Sequence, residues 1–260
     1  MPNQPLTVFI TGASSGIGEA LVHYYASQGA TIGLVARRLD ALERLKTSLK
    51  VNGACYSIDV RDATALKTAA NSFMVQYGVP DIVIGCAGVS SGTLTQNAED
   101  TAAFKAVMDI NVLGLVHTFQ PFIKAMQAQK GGQLVGIASV AGIRGLPGAG
   151  AYSASKAAAI TYLESLRIEM AADHIAVTTI APGYIRTPMT DINPYKMPFL
   201  MDADVAAEKF ANAIKNKRRF VVIPWQMGVV VRLMRFIPPF LWDFAMKNAP
   251  KKLNMKWDWL

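Results

Sequence analysis

Cysteine is scarce: Cys55 and Cys86 are the only two in 260 residues. Two cysteines cannot make the disulfide framework of a small secreted fold, and they point to a reducing, cytoplasmic setting. The three histidines, His23, His117 and His174, stand apart from one another and from any cysteine or carboxylate at ligand spacing. That excludes a metal centre of the common types and leaves them as helix-surface or helix-end residues. No secretory leader pattern is visible, because a polar start gives way at Leu6 to an apolar run that enters a glycine-rich turn. Acidic residues are missing from one region only. From Lys215 to Leu260 there are ten basic side chains and only Asp243 and Asp258 against them, so the formal charge of +8 belongs to the tail. The preceding 214 residues carry sixteen charges of each sign. A neutral body with basic residues interleaved among bulky apolar ones argues against a nucleic-acid binder.

Apolar residues make up 52% of the chain, enough for a sizeable core. Runs rich in valine and isoleucine at 6–10, 31–35, 54–58, 81–84, 133–138, 175–181 and 219–223 read as strands buried on both faces. Between them lie longer stretches of helical periodicity, such as 18–28, 39–50 and 63–77. Strand and helix alternating in this way predict an α/β fold with a doubly wound parallel sheet of seven strands and helices on both faces. No linker or repeat interrupts the pattern. One Rossmann-like catalytic domain is expected over 1–224, with 225–260 as its basic, tryptophan-bearing extension.

After the first strand the chain reads Thr11-Gly12-Ala13-Ser14-Ser15-Gly16-Ile17-Gly18. Glycines at this spacing let the backbone turn sharply against a pyrophosphate, which the next helix meets with its amino-terminal amides. The spacing resembles the TGxxxGIG signature of short-chain dehydrogenases/reductases, and the likeness runs from about Leu6 to Ile223. The second strand ends in Ala36-Arg37-Arg38, where an NAD site would carry a carboxylate. Arg37 and Arg38 suit a 2′-phosphate instead, so the expected cofactor is NADP(H). The resemblance further implies that Asp59 and Val60 flank the adenine and that Ala87-Gly88 admits the cofactor. Gly85 and Cys86 stand where the family usually has two asparagines, and Cys86 reads as a small apolar filler.

Tyr152 and Lys156 are four residues apart, on one face of a helix. A neighbouring cation favours phenolate and would bring a phenol toward the range of a useful proton donor. Ser139 closes the fifth strand thirteen residues earlier, and Asn111 interrupts an apolar helix. In the family these four residues, in this order and at these intervals, form the catalytic set. The resemblance implies that Tyr152 passes the proton, Ser139 bonds the substrate oxygen, Lys156 holds the nicotinamide ribose and Asn111 holds a water. It also places Pro182-Gly183 beneath the nicotinamide, with Ile185 and Thr187 holding its carboxamide.

Val140, Leu146, Tyr184, Met189 and Phe199 are the expected substrate contacts, and the methionine-rich segment 188–203 suits a lipophilic carbonyl or alcohol. A 3-oxoacyl-type ketoreductase is the alternative enzyme, and a non-catalytic NADP(H)-binding sensor or scaffold the alternative class. Retention of both Tyr152 and Lys156 speaks for the enzyme. Arg232, Arg235, Pro238, Pro239 and Asp243 break the apolar tail, so it is not expected to span a bilayer. Three roles stay open for it: peripheral association with a membrane surface, the interface of a homodimer, or a cover over the substrate pocket.

Overall fold

The structure is a computed structural model and describes residues 5–193, 195–255 and 257. Lys256, Asp258 and Trp259 of the tail, the polar residues 1–4 and Pro194 lie outside the described residues. In chain order the first half runs β1 (Thr7–Thr11), α1 (Gly16–Ser27), β2 (Thr31–Ala36), α2 (Leu39–Ser48), β3 (Asn52–Ser57), α3 (Ala63–Tyr77), β4 (Ile82–Gly85) and α4 (Asp100–Met108). It continues with α5 (Gly114–Ala128), β5 (Gln133–Ile137), α6 (Gly150–Glu169), β6 (Ala176–Pro182), α7 (Pro188–Asp191), α8 (Ala203–Lys215) and β7 (Phe220–Ile223). Two tail helices follow, α9 (Trp225–Phe236) and α10 (Pro239–Met246).

The strands form a seven-stranded sheet in the order β3-β2-β1-β4-β5-β6-β7, and every pairing is parallel. The inner strands are buried on both sides, whereas the edge strands β3 and β7 are partly exposed, and along the inner strands successive residues alternate between two cores. Val8 and Ile10 face the core built with Leu21 and Phe210, whereas Phe9 faces the one built with Phe73 and Phe122. Phe9 touches Phe73 edge-on at 5.3 Å and Phe122 at 4.8 Å, so truncating it would open a cavity worth about 3–5 kcal/mol.

The chain winds outward from β1 to β3, then returns to place β4 on the other side of β1. At that reversal the loops after neighbouring strands diverge and leave a crevice at their carboxyl ends. The continuous helical stretch Asp100–Ala128 has the length and apolarity of a membrane span, yet half of its most apolar window is buried within the fold. It is a core element here, interrupted by a π-helical turn at Asp109–Leu113.

Candidate active site

The carboxyl ends of β1, β2, β4, β5 and β6 open onto one cleft of about 330 Å³. Its phosphate end is the turn before α1. Gly12 has φ +74°, and a β-carbon there would lie 2.8 Å from the backbone of Ala87. Gly16 has φ +59°, and a β-carbon on Gly18 would run into the Gly12 carbonyl. The backbone therefore comes as close to the cleft as it can, and Ser15 at the helix start makes no side-chain cap. The first-turn amides of α1 remain available to an anion. This cradle fits a pyrophosphate.

Arg37 and Arg38 are exposed at the rim after β2. Arg38 donates to the Ser14 carbonyl at 3.2 Å and approaches Ser14 Oγ at 3.4 Å, which draws its guanidinium over the glycine turn. Asp59 lines the same end, but Arg61 already grips its carboxylate through Nε at 3.1 Å and a second nitrogen at 2.8 Å. Burial raises the Asp59 pKa, yet the Arg61 hydrogen bonds and charge outweigh it and leave the carboxyl below its ordinary value. Sequence reading missed Arg61. Its signal was its place two residues after Asp59, too short a spacing to separate from an ordinary turn.

At the chemical end, Ser139 begins a short 3-10 turn beyond β5, and its Oγ accepts from Ala141 N at 3.1 Å. Tyr152 and Lys156 rise from the first two turns of α6, with the Lys156 ammonium 5.9 Å from the phenol ring centre. Lys156 is buried and donates to the Ile137 carbonyl at 2.9 Å. Burial lowers its pKa to about 8. For Tyr152 burial again leads and raises the pKa, with a hydrogen bond from Ser139 pulling the other way. The depression expected from Lys156 is thus not what dominates: desolvation acts on both partners of the pair and favours their neutral forms. Burial likewise pushes the Cys86 thiol up to about 12 despite Lys156, so Cys86 is an inert lining residue.

Asn111 sits in the π-helical turn, where the wider coil turns its side chain inward. Its Oδ1 accepts from Val89 N at 2.8 Å, and its Nδ2 donates to Val89 O and to Ser155 Oγ, both at 2.9 Å. It braces the loop after Gly88 against α6. Asn111 Oδ1 and Lys156 Nζ also border one point beside Gly88, at 3.2 and 3.5 Å from a β-carbon placed there.

On the far side, Pro182, Gly183, Ile185, Thr187 and Met189 line the cleft. Thr190, absent from the sequence reading, donates to the Ile185 carbonyl at 2.6 Å and accepts from Thr187 N at 3.0 Å. It fixes the backbone that presents both residues. The substrate candidates divide. Met189 faces the catalytic cleft, but Val140 and Leu146 do not line it: Val140 lies in the short turn after Ser139, and Leu146 lines a separate groove with Pro147 and with Trp242 and Met246 of the tail. Tyr184 packs against Tyr195 with ring centres 6.4 Å apart. Phe199 does not join them: it is 49% exposed and lines a separate groove with Val205, Lys209 and Trp225. A positive φ of 57° at Phe199 turns the chain outward there.

The tail folds back on this end of the molecule. Arg144, which no motif marks, donates to the Met234 and Ile237 carbonyls at 2.7 Å each and stacks 4.8 Å from the Trp242 ring. Both carbonyls lie at the carboxyl end of α9, where Met234 O also accepts from Ile237 N, so Arg144 acts as a C-cap supplied from another element. Beyond α10, Gly92 N donates to Leu253 O at 2.7 Å and Met255 N to Ser91 Oγ at 2.9 Å. The His117 Nδ1 contact with Val60 O at 3.0 Å is structural, and no metal-ligating cluster is found among the described residues.

A parallel α/β sheet whose crevice joins a glycine cradle to a buried Tyr–Lys pair defines a nucleotide-dependent oxidoreductase. Comparison with known proteins agrees. The family of short chain dehydrogenases matches residues 6–196, and the chain belongs to that family. It is 34% identical over 245 residues to an uncharacterized oxidoreductase of Myxococcus xanthus, covering 93% of this chain and 96% of the relative. Among solved structures, an alcohol dehydrogenase from the archaeon Thermococcus sibiricus, complexed with 5-hydroxy-NADP, superposes with a TM-score of 0.74 at 25% identity. That match covers 85% of this chain and 96% of the other. The L-sorbose reductase of Gluconobacter frateurii, complexed with NADPH and L-sorbose, gives 0.72 at 26% identity over 80% of this chain and 89% of its own.

Proposed function

We propose that this oxidoreductase uses NADP(H) to interconvert a carbonyl and a secondary alcohol on a largely apolar substrate. The observation that carries the reading is the convergence of Ser139, Tyr152 and Lys156 on the cleft that the glycine cradle and the arginine pair also line. The bound nicotinamide would supply or accept the hydride. In the reducing direction Tyr152 gives its phenolic proton to the carbonyl oxygen, and Ser139 donates a hydrogen bond to the same atom. Burial keeps the phenol protonated and ready to donate. Lys156, one helical turn from Tyr152, would hold the ribose hydroxyls, and Asn111 ties the loop after Gly88 to α6 around them. Residues 185–187, braced by Thr190, orient the carboxamide and so select the ring face. A screen of hydrophobic ketones and alcohols, followed by NADPH absorbance, tests the assignment. Failure to turn over any of them with intact cofactor binding would favour the sensor reading.

NADPH preference rests on Arg37 and Arg38 and on the absence of a carboxylate at the end of β2. The two solved relatives with NADP-type cofactors support it. The wild type is expected to favour NADPH over NADH by at least about tenfold in kcat/KM, and Arg37→Asp to erase most of that margin. Equal efficiency with both cofactors would overturn the assignment.

A peripheral membrane role for the tail is favoured by one observation. The outer face of α9 and α10 exposes Leu233, Phe236, Phe240 and Phe244 beside Arg232 and Arg235. Apolar and basic residues mixed in this way suit the headgroup zone of an anionic bilayer, where each basic residue adds about 1 kcal/mol. The enzyme is expected to float with anionic vesicles, and the triple change of Phe236, Phe240 and Phe244 to Ser to abolish flotation without loss of ketone reduction. If those changes instead turn a dimer into a monomer by ultracentrifugation, the face belongs to a second copy of this chain.

A further inference from the structure

We infer that Lys252, delivered by the tail, is the substrate-anchoring residue of this site and that it selects carbonyl compounds carrying a carboxylate. The inference rests on the proposed reductase reading and names its substrate class.

The segment holding Lys252 is tightly fixed. Leu253 O accepts from Gly92 N, Met255 N donates to Ser91 Oγ, and Asn254 Oδ1 accepts from the same hydroxyl at 3.3 Å. Asn254 Nδ2 also donates to Asp100 Oδ1, while Asp100 Oδ2 accepts from Leu94 N at 2.7 Å. Lys251 packs against Gly148, where a β-carbon would lie 2.8 Å from its own. The tail thereby bridges the loop after β4 to the loop before α6 and forms a wall beside Tyr152.

From this wall the Lys252 ammonium reaches to 5.6 Å from the Tyr152 ring centre, so the reactive phenol has a second lysine beside it, as close as Lys156 at 5.9 Å. Lys156 has a hydrogen-bond acceptor in the Ile137 carbonyl. Lys252 has no hydrogen bond or ion pair among the described residues. Asp100, the acid that braces the wall, is fully committed to Asn254, Leu94 and Asn97. Burial lowers the Lys252 pKa, and no acid among the described residues opposes it. A desolvated ammonium without a counter-charge is costly, and the structure pays that cost beside the reacting group. A carboxylate on the substrate would supply the missing partner and fix the distance from the anchor to the carbonyl. Together with the oily segment around Met189, this describes an amphipathic keto acid or hydroxy acid.

The test measures binding to the NADPH-loaded full-length enzyme by calorimetry, so it does not depend on turnover. Levulinate, acetylbenzoate and oxostearate are each compared with their methyl esters. At least one acid is expected to bind the wild type about tenfold tighter than its ester. Lys252→Met should remove that margin by weakening the acid, and Lys252→Arg should retain most of it. Lack of a margin for all three pairs in the wild type overturns the anchor. So does an equal loss for acid and ester in Lys252→Met, which would mean that Lys252 only shapes the wall or tunes Tyr152. A margin without NADPH oxidation would instead sink the reductase reading while leaving the anion site standing.

Discussion

Tyr152→Phe is expected to lower kcat by about three orders of magnitude while NADPH affinity stays within about twofold. Phenylalanine keeps the ring near the two lysines and removes only the hydroxyl. Among the described residues no histidine, aspartate or glutamate lines the cleft near Ser139, and Asp59 stands at the adenine end, held by Arg61. Ser139 itself can donate to a developing alkoxide but is far too weak an acid to give up its proton. Losing Tyr152 therefore leaves as donors only water, scarce in so buried a site, and the ammoniums of Lys156 and Lys252, which stand 5.9 and 5.6 Å from the ring centre. NADPH oxidation with a reactive ketone gives kcat, and quenching of protein fluorescence gives the cofactor dissociation constant. Retention of more than a few per cent of the wild-type rate would show that another acid operates.

Most strands were legible because they are short valine- and isoleucine-rich runs bounded by glycine or a polar turn; β3, which reads Asn-Gly-Ala-Cys-Tyr-Ser, lacks that signature and begins two residues before its expected start at 54. β2 is expected at 31–35 and found at Thr31–Ala36, and β7 at 219–223 and found at Phe220–Ile223. The glycine cradle and the Tyr–Lys spacing were legible for a different reason: their chemistry depends on local geometry, which short motifs encode. What escaped was chemistry assembled over long separations. Lys252 lies a hundred residues beyond Tyr152 and follows no motif, and only the folded tail reveals that they meet. Arg144 looked like one of many loop arginines until α9 offered it two carbonyls. The direction of the Tyr152 shift was misjudged because charge proximity can be read from spacing, whereas desolvation cannot. Phe199 was grouped with Met189 on composition alone, and backbone direction separated them.

Lys156→Met is expected to damage both steps that Tyr152→Phe separates, raising the NADPH dissociation constant by about tenfold and lowering kcat by about a hundredfold. On the proposed reading one ammonium serves the ribose hydroxyls and the field at Tyr152, so neither function survives its loss. The same change should not weaken the ligand-free fold. Lys156 is only 6% exposed, and burial brings its pKa down to about 8. A lysine depressed in the folded state binds its proton more weakly there than in the unfolded chain. Its penalty is therefore fully present below about pH 8 and fades as pH rises toward the ordinary lysine range. By linkage the cost is about 3 kcal/mol at neutral pH, an upper figure. Against it stands the Ile137 carbonyl, which loses its donor at a cost of about 1–3 kcal/mol. The two nearly cancel or favour the variant, and methionine fills the volume of the lysine stem. Thermal unfolding without cofactor at neutral pH should accordingly place Lys156→Met level with the wild type or above it. At high pH the wild type should gain on the variant, because its own penalty disappears there. A variant much less stable than wild type at every pH would mean that Lys156 is a structural post first and a functional cation second.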